Sequence, residues 1–432
     1  MKAVISDRIY LSLENDEQVS AIDEELTYRI PTYNPMDPPT IIKNMGRLKR
    51  LLVSIPSGRV DLIPNGYEIV DKRVERPVNF PEFKFSLRDS QKEVYDSVDD
   101  NCIINAWVSW GKTFTGLAIA SKLKQKTLVI VHTVALRNQW EKEVQKVFGI
   151  NPGIIGSGKF DTTGPIVIGN VQTLTKRVPN IIDEFGTIIL DEMHHVSSPT
   201  FKNIIDKSKA RYKIGLSGTI ERKDGKHVLF RDFFSPTVYM PPKENYMPPS
   251  IHIFDSEIRF MDGMGIPWAK KVNNLAYNEE YQHFLALLAS VYATKGHKVL
   301  VVADRVELLK KCCNLVGDIG IVITGQTPQE DRLTLMDEIK KDKKILFGTQ
   351  SIFSEGVSID ELSCLILGTP VNNEPLLTQL IGRVIRVRED KKDPVIIDIN
   401  LTGNTARKQA NNRKGYYLKQ GYKILNMGKN SS

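Results

Sequence analysis

From residue 102 onward the sequence is ordered by one repeating contrast: short runs rich in Ile and Val, separated by longer stretches whose apolar residues recur at helical spacing. CIINAW, TLVIVH, PIVIGN, TIILDE and YKIGLSG are apolar on successive residues, the pattern of strands buried on both faces. Segments such as TFTGLAIASKLKQ (113–125) supply helices between them. Strands that alternate with helices are joined by crossovers, which makes the sheet parallel and covers both of its faces. The rhythm pauses at MPPKENYMPPS (240–250), whose prolines and polar residues mark a linker. It resumes with KVLVVAD (298–304), GIVIT (320–324), KKILFGT (343–349), CLILGTP (364–370) and PVIIDI (394–399). The expected fold class is therefore α/β, with tandem parallel-sheet domains over residues 81–240 and 241–432. Residues 1–80 lack the rhythm and carry short strand candidates, RLLVSIP and RVDLIP, among several prolines. They predict a small N-terminal accessory domain.

A chain of 432 residues with 41% hydrophobic and 25% charged content can bury two or three such cores, and its composition excludes a disordered chain. The four cysteines, two of them adjacent at Cys312 and Cys313, draw neither a disulfide framework nor a CxxC metal pattern, so a reducing cytoplasm is expected. The first residues, MKAVISDRIYLSLENDEQ, mix acids into the apolar positions, and no apolar run approaches the length of a membrane span. A soluble protein with no membrane partner is expected. The net charge of +8 has an uneven origin, because residues 403–432 hold seven Lys and Arg and no acid. With Tyr416, Tyr417 and Tyr422 interleaved, that segment reads either as a contact for a phosphate backbone or as a solvated helix with a tyrosine face.

Three short motifs carry chemistry. NAWVSWGKT (105–113) joins an apolar strand to a helix through Ala106, four residues and Gly111-Lys112-Thr113. A loop of this kind can point backbone N–H groups and a helix N-terminus at a phosphate, with Lys112 on the outer phosphates and the Thr113 hydroxyl on Mg²⁺. Taken alone it reads equally as a tight strand–turn–helix. DEMHH (191–195) follows the strand TIIL, where Asp191 is placed to hold the metal through water and Glu192 to orient or deprotonate an attacking water. A helix N-cap is the other reading of such an acidic pair. His194 and His195 lack further ligands at zinc spacing and read as capping or packed imidazoles. In QLIGRVIRVRED (379–390), Gln379, Arg383 and Arg386 are spaced by four and three, which on a helix puts them on one face. That face is either a pair of arginine fingers with a glutamine or an ordinary charged surface.

The ordered series LRDSQ (87–91), AWVSWGKT (106–113), VHTVALRNQW (131–140), IVIGNVQTL (166–174), DEMHH (191–195), LSGTIERKDGK (216–226), GTQSIFSEGVSID (348–360) and QLIGRVIRVRED resembles the superfamily-2 helicase motif set, in order over about 300 residues. DExHH, RKDG and GVSI bring it nearest to phage UvsW-type DNA helicases and their XPB-like relatives. The resemblance implies two RecA-like domains with ATP and Mg²⁺ bound between them. It assigns Arg88 and Gln91 to the adenine, and Ala106, Trp107, Val108, Ser109, Trp110, Gly111, Lys112 and Thr113 to the phosphates. Gly356 would border the nucleotide, and Gln379, Arg383 and Arg386 would reach it from the second domain. Thr133, Arg137, Trp140, Gln172, Thr173, Thr349 and Ser351 would line the nucleic-acid track, touching mostly backbone.

The loop centre VSWGKT keeps one glycine, and Trp110 is expected to cover the loop or pack at the cleft mouth. Ser358 stands where many relatives carry Asp. The function implied is an ATP-dependent DNA helicase or translocase acting on branched DNA; an RNA helicase and a non-catalytic nucleic-acid-binding module with a decayed ATP site are the alternatives. Junction preference falls to residues 1–80, where KNMGRLKR (43–50) has four basic residues and no acid, unless that run is a solvated amphipathic helix.

Overall fold

In the first half of the chain every apolar run becomes a strand, and the strands stand side by side in the order Lys159–Phe160, Gly153–Gly156, Ile166–Asn170, Thr127–Val131, Thr187–Leu190, Tyr212–Ser217, Cys102–Asn105 and Val238–Tyr239. All neighbours are parallel except the short hairpin of the first two. The computed structural model describes residues 1–30, 38–176, 181–193, 204–218, 226–263, 265–354 and 359–429. Alternation along each strand divides the core. Ile104, Val129, Ile189 and Leu216 pack with Leu117 of one helical layer, while Ile103, Leu128, Ile188 and Leu190 pack with Phe185, Phe230 and Phe234 on the other face. The helix Lys112–Leu123 starts behind Gly111 at φ 93°, and the helix Val134–Phe148 starts on Thr133, whose side chain accepts from the Leu136 N–H at 3.2 Å, and stops at Gly149 with φ 68°.

The second half builds a seven-stranded parallel sheet in the order Gly320–Ile323, Ile345–Thr349, Val299–Ala303, Cys364–Leu367, Val395–Thr402, Ser250–Arg259 and Lys423–Lys429. Two compact units result, Met1–Lys243 and Glu244–Ser432, and the division falls inside the proline-rich stretch 240–250. The basic C-terminal segment forms the helix Asn404–Lys419 and an edge strand. Its tyrosines face inward, which corrects both readings of a tyrosine surface. Tyr416, Tyr417 and Tyr422 are buried, and Arg413 is spent on a bidentate pair with Asp398 at 2.8 and 2.7 Å, completed by the Tyr417 hydroxyl at 2.9 Å. Arg407, Lys408 and Lys414 stay exposed.

Residues 1–71 fold as a five-stranded sheet ordered Gly46–Arg47, Leu52–Pro56, Arg8–Ser12, Lys2–Ile5 and Glu68–Asp71, antiparallel but for the last pair. Its own core of Ala3, Ile5, Ile9, Leu11, Val53 and Ile55 is closed by Val19 and Ile22 of the helix Asp16–Glu25. RVDLIP is not a strand but one helical turn, Val60–Leu62, ahead of Pro64. KNMGRLKR is not a helix: it ends one strand, forms another and turns, with Arg47 and Arg50 on Asp16 at 3.2 and 2.8 Å and Leu48 exposed at the turn.

This sheet is fastened to the first parallel sheet through buried polar groups. Asp232 has a side chain without solvent exposure and accepts from Asn44 Nδ2 at 2.5 Å, Tyr28 Oη at 2.8 Å and Arg59 Nη1 at 3.5 Å; burial pushes its carboxyl up despite them. Gly58 donates its N–H to the Asp232 carbonyl, and any Cβ there would strike the Arg231 carbonyl at 2.3 Å. Lys213, on the strand Tyr212–Ser217, is buried and donates to Ser57 Oγ at 2.8 Å and the Ile205 carbonyl at 3.2 Å.

Burial lowers the Lys213 ammonium from 10.5 to about 8. Between those values the unfolded chain holds a proton that the folded chain has released, so this lysine makes stability rise as pH rises. The gain is on the order of 3 kcal/mol across the interval. Lys213→Met should remove it: urea unfolding near pH 7 and near pH 10 should show the parent gaining on the variant, and parallel curves would refute the assignment.

Candidate functional site

In a parallel sheet all strands end on one edge, and here five neighbours deliver the motif residues to it. Gln172 and Thr173 follow Ile166–Asn170, Thr133 follows Thr127–Val131, Asp191 follows Thr187–Leu190, Gly218 follows Tyr212–Ser217, and Ala106 follows Cys102–Asn105. Ligands of open α/β sheets bind beyond this carboxyl edge.

The loop 106–111 is held from three sides. The Ala106 N–H donates to the Ser217 carbonyl at 3.0 Å and the Trp110 N–H to the Trp107 carbonyl at 3.2 Å. Ser109 and Gly111 both take left-handed backbone, φ 72° and 93°. Trp110 does not cover the loop or stand at a cleft mouth, as the sequence suggested. It is 0% exposed, packed beneath the loop among Val94, Leu117 and Ile104, with its indole N–H on Ser90 Oγ at 2.7 Å. Its carbonyl accepts from Gln91 Nε2 at 2.7 Å and from Arg88, while Gln91 Oε1 accepts the Arg88 N–H at 3.1 Å. Arg88 and Gln91 therefore fix the loop, and Gln91 is 2% exposed. Trp107 is also buried, under Lys243, whose ammonium lies 4.2 Å from the ring centre. Lys112 Nζ donates to the Ala106 carbonyl at 3.1 Å, on the concave side of the loop, and Thr113 sits in the first helical turn. Val108 is half-buried in the turn.

Asp191 is 4% exposed. Its Oδ2 accepts the indole N–H of Trp140 at 2.7 Å and its Oδ1 the Glu192 N–H at 3.0 Å. Burial pushes its carboxyl well above the usual range and the Glu192 charge adds to this, while the Trp140 N–H and the Lys112 ammonium pull it back. Glu192 holds a left-handed backbone at φ 51°, unusual for a residue with a Cβ and the kind of outlier found where a side chain must be aimed. Trp140 was expected on the nucleic-acid track. With no exposed surface it has none to offer a strand, and its partner is instead the acidic pair. Arg137 is 9% exposed and turned onto Ser157 Oγ at 2.9 Å and Asn170 Oδ1 at 3.3 Å, so it too faces inward. Thr133 and Thr173 are half-buried and Gln172 is exposed, its amide on the His132 carbonyl at 3.1 Å, so these three remain at the edge.

In the second unit, Thr349 and exposed Ser351 lie at the end of Ile345–Thr349, their hydroxyls 3.4 Å apart. Gln379, Arg383 and Arg386 do not share a helix face. Gln379 lies in the helix Glu374–Ile381, which stops before the two arginines; the Arg383 and Val384 N–H groups reach back three residues to Leu380 and Ile381, and Arg386 forms a β-bridge with Tyr246. Arg383 Nε donates to the Phe353 carbonyl at 2.7 Å; Arg386 Nη1 pairs with Asp360 at 3.0 Å, and its buried Nε has no acceptor among the described residues. Gly356, Ser358, His194, His195 and 219–225 of the motif LSGTIERKDGK lie outside the described residues. The sequence reading missed Ser90 as the anchor of Trp110 and Trp140 as the partner of Asp191. The second pair is 51 residues apart, and no spacing announces it.

A lysine-bearing loop at a helix start, beside a buried carboxylate whose charge lacks solvent, fits a nucleoside triphosphate and its divalent metal. Among the described residues no group of three or more His, Cys, Asp or Glu forms a metal cage of its own. A metal here would thus be held by Asp191 and Thr113 together with phosphate oxygens, as small divalent cations usually are. Site and tandem sheets define a nucleoside-triphosphate-driven motor. Residues 84–222 match the family described as type III restriction enzyme, res subunit, and 280–388 match the helicase conserved C-terminal domain. The chain is 42% identical to "Probable helicase D10" of Escherichia phage T5 over 99% of this chain and 96% of that protein. It is 25% identical to "ATP-dependent DNA helicase uvsW" of Enterobacteria phage T4, over 73% of this chain and 68% of that one. The structure of S. cerevisiae Dbp5 bound to RNA and ADP BeF3 shares the fold at 13% identity, with a TM-score of 0.56 over 78% of this chain and 89% of that one. This chain belongs to the superfamily-2 helicases. It is an enzyme of the nucleic-acid helicase family, which implies ATP with a divalent metal, and no helix among its described residues is long and apolar enough to cross a membrane.

Two outcomes test the site. Lys112→Ala should abolish ATP hydrolysis, and Glu192→Gln should retain nucleotide binding, read by fluorescent-analogue titration, while stopping turnover. Near-normal turnover in either would remove that residue from the chemistry. Trp140→Phe keeps the packing but removes the donor to Asp191, so the Mg²⁺ concentration needed for half-maximal hydrolysis should rise about 10- to 100-fold. An unchanged metal titration would make Trp140 a packing residue only.

Proposed function

We propose that this helicase is an ATP-dependent DNA translocase that unwinds or branch-migrates branched DNA: forks, D-loops or four-way junctions. In this reading ATP and Mg²⁺ bind at the loop, with Arg88 and Gln91 toward the base, Lys112 on the outer phosphates, Thr113 and Asp191 toward the metal, and Glu192 orienting the attacking water. Gln379, Arg383 and Arg386 complete the site from the second α/β domain. Thr133, Gln172 and Thr173 in the first domain and Thr349 and Ser351 in the second follow the nucleic-acid backbone without reading sequence.

The observation that carries the branched-substrate reading is the attachment of the N-terminal sheet. A tethered accessory domain would be free to lag behind the motor. This one shares a compact unit with the first parallel sheet and is fixed by Asp232, Arg59, Tyr28, Asn44 and Lys213, so a step of that sheet carries the accessory surface with it. Among the described residues, the exposed turn of Leu48 and Lys49 is the part of the run 43–50 left without an internal ion pair, since Lys43, Arg47 and Arg50 are held by Asp23 and Asp16. DNA is favoured by the name of the phage T4 relative. RNA is the second reading, supported by the RNA-bound structure that shares the fold.

Deleting residues 1–80 would leave Asp232 and Lys213 buried without their partners, so substitution is the better probe. Leu48→Ser with Lys49→Glu should bring the ratio of fork to linear-duplex unwinding down toward one, at one fixed salt concentration because salt alone shifts affinity. An unchanged ratio would move junction recognition elsewhere. ATP hydrolysis stimulated more by RNA than by DNA would replace the DNA reading.

A further inference from the structure

Of the chain's four tryptophans, Trp107, Trp110 and Trp140 are 9%, 0% and 0% exposed, and Trp268 is 38% exposed. A large indole left in water on an otherwise well-packed domain needs an account. Trp268 is not loose. It opens the helix Trp268–Ala276 behind Pro267, its ring packs against Phe260 with centres 5.4 Å apart, and its indole helps hold down the half-buried Asp304 carboxyl, which burial raises. Val272, Leu275 and Ala276, one to two turns further along the same stripe of the helix, are buried in the core of the second unit. The ring is therefore presented on a fixed support.

Its place on the sheet is specific. Ala303 pairs in register with Thr349, so Asp304 and Arg305 continue the carboxyl edge directly beside the strand end that carries Thr349 and Ser351. The Arg305 guanidinium is tied to this helix through the Ala269 carbonyl at 3.4 Å and Asn273 Oδ1. Lys270 is exposed one residue beyond Ala269, and Arg259 is exposed where the strand Ser250–Arg259 ends. Two nearby acids, Asp304 and Asp262, are engaged. Asp304 has the Arg305 charge and the Trp268 indole beside it, and Asp262 caps the helix Asn404–Lys419 through the Asn404 and Thr405 N–H groups at 2.8 and 2.9 Å. A fixed aromatic face on a helix that also anchors the Arg305 guanidinium has the chemistry of a strand of unpaired bases on a phosphate chain: the ring offers stacking, and the cation suits the backbone.

We propose that Trp268 is a base-stacking platform for single-stranded DNA on the carboxyl edge of the second parallel sheet, next to Thr349 and Ser351. The inference rests on the helicase reading and adds a contact that no motif of the sequence marks. Stacking does not distinguish bases, so the platform grips a strand without reading it. It also rejects intact duplex, whose bases already stack on one another.

Intrinsic fluorescence tests this directly, because the other three indoles are buried. Titrating the full-length protein with an oligothymidylate should quench tryptophan emission along the same saturation curve as the anisotropy of a labelled oligothymidylate, and blunt duplex should not quench it. Trp268→Ala should lose the quenching and bind the single strand about 5- to 150-fold more weakly, the range that one stacked base spans. Trp268→Phe, which keeps an aromatic face, should recover most of the affinity, and that recovery excludes a folding defect as the cause. Single-strand affinity in a folded Trp268→Ala equal to the parent's, or saturating anisotropy without quenching in the parent, overturns the platform and leaves the helicase reading intact. A parent protein that binds no nucleic acid at all overturns both.

Discussion

A carboxylate almost without solvent sits at the carboxyl edge of the first parallel sheet, and the groups around it are arranged to hold its charge. Asp191 is carried to the edge by a strand apolar on both faces, so it cannot reach water, and it stays ionisable only through the Trp140 indole, the Glu192 amide and the nearby Lys112. A divalent cation is the natural complement of such a group. In the proposed function such a group would favour the metal–nucleotide complex over free nucleotide.

The same edge shows how much of the fold the residues announce. Strands buried on both faces are legible because parallel neighbours and two helical layers demand unbroken apolar runs, and each such run from 102 to 218 became a strand. Ser250–Arg259 was not legible: the sequence SIHIFDSEIR alternates, since only Ile251, Ile253 and Ile258 enter the core. The spacing of Gln379, Arg383 and Arg386 misled because spacing says nothing about where a helix stops, and this one tightens into three-residue turns at Gly382. The tyrosines of the C-terminal segment misled for a related reason. Interleaving with cations does not tell which side of a helix faces the sheet, and Asp398, not solvent, collects Arg413 and Tyr417.

The candidate site was legible as a set of motifs and illegible as a set of partners. Lys112, Thr113, Asp191 and Glu192 converge because their strands end on one edge of the sheet with only Tyr212–Ser217 between them. That Trp140 belongs to Asp191, and Trp110 to Ser90, could not be read, because each pair joins distant segments through burial. Aromatic residues were assigned to ligands on the strength of their motifs, yet three of the four tryptophans serve the interior. The fourth, outside every motif, is the one left facing water.

Trp110 has a consequence of its own. Phosphate loops usually owe their shape to glycines, which leave them supple; this loop owes it to an indole nailed into the core between Ser90 and the helix Lys112–Leu123. Its ordering is completed when the domain folds, not when nucleotide arrives. A nucleotide bound at this loop would then stabilise the folded core that holds the indole, and not the loop alone.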